Sequence, residues 1–157
     1  MGRIFDTLVN FFDQDEWTYE EADTDILQTV FEGERGQRWF CIAQARETEQ
    51  QFLFFSIFPE RVGENFRTVV MEFITRANFG LLLGNFELDL DDGELRFKTT
   101  IDIEDTELNY PLWRQVVYRN LATMDDYFGG LGAVSRGEAL PIEALHAIEN
   151  PPPSSTN

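Results

Sequence analysis

Four carboxylates crowd one short stretch of the chain: Asp89, Asp91, Asp92 and Glu94. Spaced acids of this kind are the raw material of a calcium loop, which holds its ion with oxygen ligands. Such a loop also needs an acid or amide at its fifth position and glycine at its sixth. Counted from Asp89, the fifth residue is Gly93 and the sixth is Glu94, so the pattern fails. Turn chemistry and cross-strand pairing account for these acids instead. Cys41 and His146 are the only cysteine and the only histidine. They could form a nucleophile–base pair only if the C-terminal segment reached the strand that carries Cys41. A mid-strand cysteine without a CxxC partner reads as a small buried hydrophobe. Gly80 and Gly84 do not make a phosphate loop, because no GK[ST] follows them. Asn78 and Asn85 flank that glycine-rich turn and suit backbone capping there. No catalytic constellation emerges, so the sequence predicts no enzyme, no metal site and no cofactor.

The elements that carry these residues follow from apolar spacing. Residues 52–58 read FLFFSIF. Phe52, Phe54, Ser56 and Phe58 point one way, and Leu53, Phe55 and Ile57 the other. A strand without a polar face predicts cover on both sides. Pro59 stops it, and Val62, Phe66, Val69, Val70, Phe73, Ile74 and Ala77 then form the stripe of a helix over residues 62–77. Upstream, helical spacing from Ile4 to Phe12 predicts a first helix over residues 3–13. The acid-rich QDEWTYEEADTD reads as loop, with Trp17 and Tyr19 as anchors. Strands over residues 26–32 and 38–46 follow, joined at Arg35-Gly36, where glycine supplies the positive φ of a tight turn. Downstream, Asp92-Gly93 predicts a two-residue hairpin turn between strands over residues 82–90 and 95–103. That register sets Leu90 opposite Leu95, Leu88 opposite Phe97, Asp89 opposite Arg96 and Glu87 opposite Lys98. Phe86, Leu88, Leu90, Phe97, Ile101 and Ile103 then face the core. Pro111 suits the first turn of a last long helix with a stripe from Trp113 to Phe128, which Gly129-Gly130 ends or loosens.

One domain fits a chain of 157 residues. It is 43% hydrophobic and 14% aromatic, too apolar to stay disordered. The net charge is −17, from 29 acids against 12 bases. Such a balance argues against nucleic acid, whose phosphates need Lys and Arg, and against an anionic membrane surface. It serves solubility, or a partner with a basic segment. No stretch is long and apolar enough for a membrane span, no cleavable leader is visible, and Asp6 breaks the myristoylation pattern. A single cysteine fits a reducing, cytoplasmic address.

Two stretches then carry a family resemblance: DEWTYEEADTDILQTVFEGERGQRWFCIAQ, and FSIFPERVGENFRTVVMEFITRANFGLLLGNFELDLDDGELRFKTTID. The most specific part is RANFGLLLGNFELD…DGELRFKT, with Arg76, Ala77, Asn78, Gly80, Gly84, Phe86, Glu87, Asp92, Gly93 and Glu94. These residues resemble the YbjN-domain family, over residues 4–137 or so. The resemblance implies a single α+β domain in the order α-β-β-β-α-β-β-α, with an antiparallel five-stranded sheet, similar to type III secretion chaperones. It implies a sensory-transduction regulator or chaperone-like protein that dimerises, and it carries no catalytic residues. Residues 1–137 would form that domain, 138–149 an extra short helix, and 150–157 a disordered Pro-rich tail.

Two functions of different class follow. The first is a non-enzymatic protein-binding domain, a chaperone-like or regulatory adaptor that holds a segment of a partner. Phe40, Ile42, Phe55 and Ile57 would supply its apolar contact, and Glu47 and Glu49 an acidic rim that attracts a basic segment. A homodimer is expected, because residues 52–77 offer more apolar surface than a monomer comfortably hides. The alternative is a small-molecule-binding or enzymatic α+β domain with a pocket between sheet and helices.

Overall fold

The computed structural model describes residues 2–153. Its first helix, α1 (Arg3–Gln14), buries Ile4, Phe5, Leu8 and Phe12. Strands β1 (Glu20–Asp23), β2 (Ile26–Glu32), β3 (Arg38–Arg46) and β4 (Gln51–Ile57) follow as successive antiparallel neighbours. A 3-10 turn over Glu64–Phe66 leads into α2 (Arg67–Gly80). Then come β5 (Asn85–Leu88), β6 (Leu95–Asp102), α3 (Tyr110–Ser135) and α4 (Pro141–Glu149). The strand order is β1-β2-β3-β4-β6-β5.

The α+β class and the antiparallel sheet agree with the sequence reading, but the sheet has six strands and not five. The added strand, β1, lies in the acid-rich segment expected to be loop, and all four of its residues are exposed. An edge strand wet on both sides needs ladder hydrogen bonds but no apolar alternation, so hydrophobic periodicity cannot reveal it. Its flank is pinned by Trp17, whose Nε1 donates to Tyr118 Oη at 3.1 Å, and by Thr29 Oγ1 donating to the Thr18 carbonyl at 2.6 Å.

Helices α1, α2 and α3 form one layer on the sheet, and α4 packs against α2 and α3. The inner sheet face presents Leu27, Trp39, Cys41, Ala43, Phe52, Phe54 and Phe97, all buried. Phe12 packs edge-on against Trp113 at 4.9 Å and near Phe54 at 6.4 Å, which ties α1, α3 and β4 into one core. One polar network crosses it. Trp39 Nε1 donates to Ser56 Oγ at 2.9 Å, and that hydroxyl donates to Asn120 Oδ1 at 2.6 Å. Asn120 Nδ2 donates to the Phe54 and Phe97 carbonyls at 2.9 and 3.1 Å. A polar side chain in the middle of an apolar helix stripe thus clamps α3 to β4 and β6, and burial makes that clamp strict.

Two helix boundaries and the register of one hairpin differ from the sequence reading. The first turn expected of α2 at Val62 is instead a connection held by Val62 N–H donating to the Gly93 carbonyl at 2.8 Å. Helix α3 runs through Gly129-Gly130 to Ser135. The β5–β6 hairpin pairs Leu88 with Leu95, Phe86 with Phe97 and Glu87 with Arg96, two residues away from the expected register. Beyond the ladder, Asp89 N–H donates to the Glu94 carbonyl at 2.9 Å, so the connection spans 90–93 rather than Asp92-Gly93 alone. Leu90 consequently lies outside the core, 54% exposed. A slip of two preserves which residues share a face, so apolar still meets apolar and acid still meets base. What selects the longer loop is tertiary: Gly93, at φ +80°, lies so close to Val62 that a Cβ there would collide with its carbonyl.

Candidate functional site

The opposite sheet face carries no helix. This corrects the expectation that β4 is covered on both sides: α1, α2 and α3 all lie on the inner side, and the outer alternates of each strand look outward. Cross-strand register arranges them in rows. One row runs Val30, Phe40, Ile57, Arg96 and Glu87. The next runs Gln28, Ile42, Phe55, Lys98 and Asn85. Phe40 is 61% exposed and Val30 43%, while Ile42, Leu53 and Ile57 are half-buried. A groove of about 300 Å³ runs beside Phe40, with Val30, Gln28, Arg38 and Tyr19 in its lining.

The four apolar residues singled out from sequence therefore share one open face, where Phe40 pairs with Ile57 and Ile42 with Phe55. They are not equally available. Phe55 is only 6% exposed, because the Arg96 guanidinium lies over its ring at 4.4 Å. Arg96 is held there by Glu87, which accepts from Arg96 Nε and from Lys98 Nζ, both at 2.9 Å. Burial alone pushes the Glu87 carboxyl up, but hydrogen bonds from Lys98 and Arg96 outweigh it and hold the group below its ordinary value. A cation fixed over an aromatic face is stabilising when partly desolvated.

The two acids of the expected rim stand elsewhere. Glu47 accepts from the Ile4 and Phe5 N–H groups at 3.2 and 2.9 Å, closing the N-terminus of α1. Unpaired amides and the helix dipole favour a carboxylate there, so Glu47 serves the fold rather than a rim. Glu49 is exposed and paired with Arg46 at 2.9 Å. The open face is also not acidic. Register places Arg38, Arg46, Arg96 and Lys98 on it, against Glu20, Asp23, Glu32, Glu87 and Asp102. It is nearly balanced in a chain of −17, so most of the excess acid lies elsewhere on the surface.

The remaining candidates resolve into structural roles. Asp89 and Asp92 accept from the Asp91 and Glu94 N–H groups at 2.8 and 2.9 Å, and Asp92 pairs with Arg61. These are turn bonds. Asn78 pairs with Phe86 through both side-chain atoms, its Oδ1 accepting at 2.7 Å and its Nδ2 donating at 3.0 Å, and so continues the sheet beyond β5. Cys41 is fully buried beside Ser56, and burial pushes its thiol up to about 12, against the hydrogen bonds from Ser56 and Trp39. His146 is exposed on α4, which packs against α2 and α3, so no Cys41–His146 pair forms. Among the described residues, no three His, Cys, Asp or Glu side chains gather as metal ligands, and no helix is long and apolar enough to cross a membrane. Between sheet and helices, a cleft of about 240 Å³ opens beside Thr99, Ile101, Leu112 and Val116. That is below the usual range of ligand pockets, about 300–1,000 Å³.

Two exposed features had escaped the sequence reading. Val30 joins Phe40 because an isolated valine in a polar-faced strand gives no signal of its own. Phe79, in the last turn of α2, and Leu82, in the α2–β5 connection where the sequence predicts a strand to begin, are 96% and 97% exposed. Gly84, at φ +76° against the Lys98 carbonyl, delays that strand to Asn85.

The protein is thus a six-stranded antiparallel sheet with helices on one face and an open, partly apolar face on the other. Residues 5–132 match the family model YbjN, described as "Putative bacterial sensory transduction regulator". The chain belongs to the YbjN family. Among solved structures it is similar to the "Crystal structure of YbjN, a putative transcription regulator from E. coli", with a TM-score of 0.63 and 14% identity. That likeness covers 84% of this chain and 92% of the other, and it establishes the fold. No curated protein sequence matches the chain.

Proposed function

We propose that this protein is a non-enzymatic regulatory adaptor of chaperone-like type, which holds an apolar segment of a partner protein against its open sheet face. The observation that carries this reading is Phe40, a large aromatic left 61% exposed among Val30, Ile42 and Ile57 on a face without helices. Aromatic residues in that setting are the usual anchors of an interface. Phe40, Ile42 and Ile57 make the contact, and Phe55 supports it from beneath Arg96. The family description supports the regulatory half of the reading; the chaperone-like half, with a cytoplasmic address, is carried forward from what the sequence resemblance implies. The chain acts as a homodimer, a further expectation of that resemblance. The −17 charge supports a partner that also carries a basic segment. The nearly balanced charge of the open face directs that segment to another part of the surface.

The test is photo-cross-linking from position 40 against position 122, an exposed site on α3. The proposal expects partner adducts from 40 and none from 122; equal labelling from both overturns the assignment of the face. Light scattering over a micromolar dilution series should give twice the monomer mass, and a monomer mass throughout removes the dimer. A metabolite turned over at a rate abolished by changing one polar residue would overturn the non-enzymatic reading.

A further inference from the structure

A cavity of about 580 Å³ lies on the helical side, between α3, α4 and the β2–β3 loop. Its floor is small and apolar: Gly129 and Ala133 of α3 face Ala144, Ala147 and Ile148 of α4. Acids edge it, Asp125 and Asp126 from α3, Glu143 from α4 and Glu34 from the loop, with Arg35 as the one base in its lining. Asp125 is engaged, accepting from Gln37 Nε2 at 2.6 Å. Asp126 has no such donor among the described residues; burial first, then Asp125 and Glu34, raise its carboxyl above the ordinary value. Helix α4 lies beyond the residues that match the family model, so one wall of the groove falls outside that match.

One glycine makes the groove more than a gap. Gly129 and Gly130 sit inside a 26-residue helix, where glycine is unfavourable. Gly130 has a packing reason: a Cβ there would meet Ile148 at 2.6 Å, so glycine lets α4 approach α3. Gly129 has none. Nothing lies within 4 Å of the Cβ it lacks, and its φ is not in the left-handed region. It keeps open the bottom of a groove that nothing within the chain fills. A helix-interior glycine without a neighbour fits an occupant that comes close to the backbone.

We propose that this groove docks a Lys- or Arg-bearing segment of a partner protein, the basic segment invoked in the proposed function, on which this inference rests. The aliphatic stem of the basic side chain lies over Gly129 and Ala133, and its cation meets the carboxylates of Asp126 and Glu143. Long basic side chains combine these two needs, an apolar stem and a charged head. An apolar floor with an acidic edge selects that chemistry over a neutral or acidic segment. The open sheet face and this groove then form two separate contacts, one apolar and one for cations.

An oligo-lysine peptide, an oligo-glutamate peptide and spermidine serve as probes, titrated calorimetrically into the full chain at physiological salt. The expected result is binding of oligo-lysine only. Gly129→Leu, which fills the groove, and the pair Asp126→Asn with Glu143→Gln should each weaken it tenfold or more. Asp91→Asn with Glu94→Gln, a neutralisation of equal size on the β5–β6 loop, should leave it within twofold. Thermal unfolding of each variant shows that the fold persists, and Gly129→Ala provides a smaller filling residue that favours the helix. Equal affinity for wild type and Gly129→Leu, or no binding by wild type, overturns the groove. Spermidine binding as tightly as the peptide overturns the peptide assignment. Val30→Asp, with the cross-linker kept at position 40, separates the two readings: it should abolish partner adducts at the sheet face and leave oligo-lysine binding unchanged, so either contact can fail alone.

Discussion

Replacing Asn120 by alanine tests whether the buried polar clamp is as strict as its geometry implies. Asn120 is fully buried and joins α3 to two strands at once. Alanine strands the Ser56 hydroxyl, which loses its acceptor at 2.6 Å while still accepting from Trp39. An unsatisfied buried group costs about 1–3 kcal/mol. The bonds to the Phe54 and Phe97 carbonyls add about 0.5–1.5 kcal/mol each. Alanine returns up to about 0.7 kcal/mol of helix propensity. The net loss is about 2–5 kcal/mol, a large share of the roughly 5–15 kcal/mol that holds a domain of this kind together. In urea, with a slope of about 1–3 kcal/mol/M, the midpoint should fall by about 1 M or more at unchanged slope. Ser56→Ala in the same chain should cost less than the two single losses added, because the Ser56–Asn120 bond is then lost once and no hydroxyl is left stranded, although Trp39 Nε1 loses its acceptor as it does in Ser56→Ala alone. A loss below about 1 kcal/mol, or strict additivity, would refute the clamp.

Gly93→Val should destabilise by about 3 kcal/mol or more, since positive φ strain of about 1–3 kcal/mol is joined by collision with the Val62 backbone; thermal unfolding measures it. Val30→Asp should leave the unfolding free energy within about 1 kcal/mol, as expected of an exposed strand position, while removing the partner adducts formed from position 40. Glu87 has its carboxyl lowered in the folded state, so it stabilises above the ordinary glutamate range and that contribution fades as pH falls through the lowered value. Glu87→Gln should therefore lose stability at neutral pH and converge with wild type in acid, a trend that urea titrations at several pH values follow. Gly129→Ala should raise stability by up to about 1 kcal/mol, because nothing opposes the added methyl; a loss would mean that the backbone there is already in contact.

Strand alternation is local, and what depends on it could be read from the residues. The pleat alone puts Phe40 and Ile42 on one side of β3, and Phe55 and Ile57 on one side of β4. The same period preserved the facing of Leu88, Phe86 and Glu87 even though the hairpin register was two residues away from expectation. Helix α1 was legible for the equivalent reason, a stripe at Ile4, Phe5, Leu8 and Phe12. Alternation names two faces and does not say which one the helices take. That depends on contacts such as Phe12 with Trp113 and Asn120 with Phe54, between residues far apart in the chain. The same holds for Glu47, which reads as a free loop acid until the fold brings the amides of Ile4 and Phe5 to it across more than forty residues. Edge strand β1 has no apolar pattern, so only the ladder offered by β2 could create it. Side-chain periodicity is a property of the backbone at each residue; cover, charge balance and vacancy are properties of what the rest of the chain leaves uncovered.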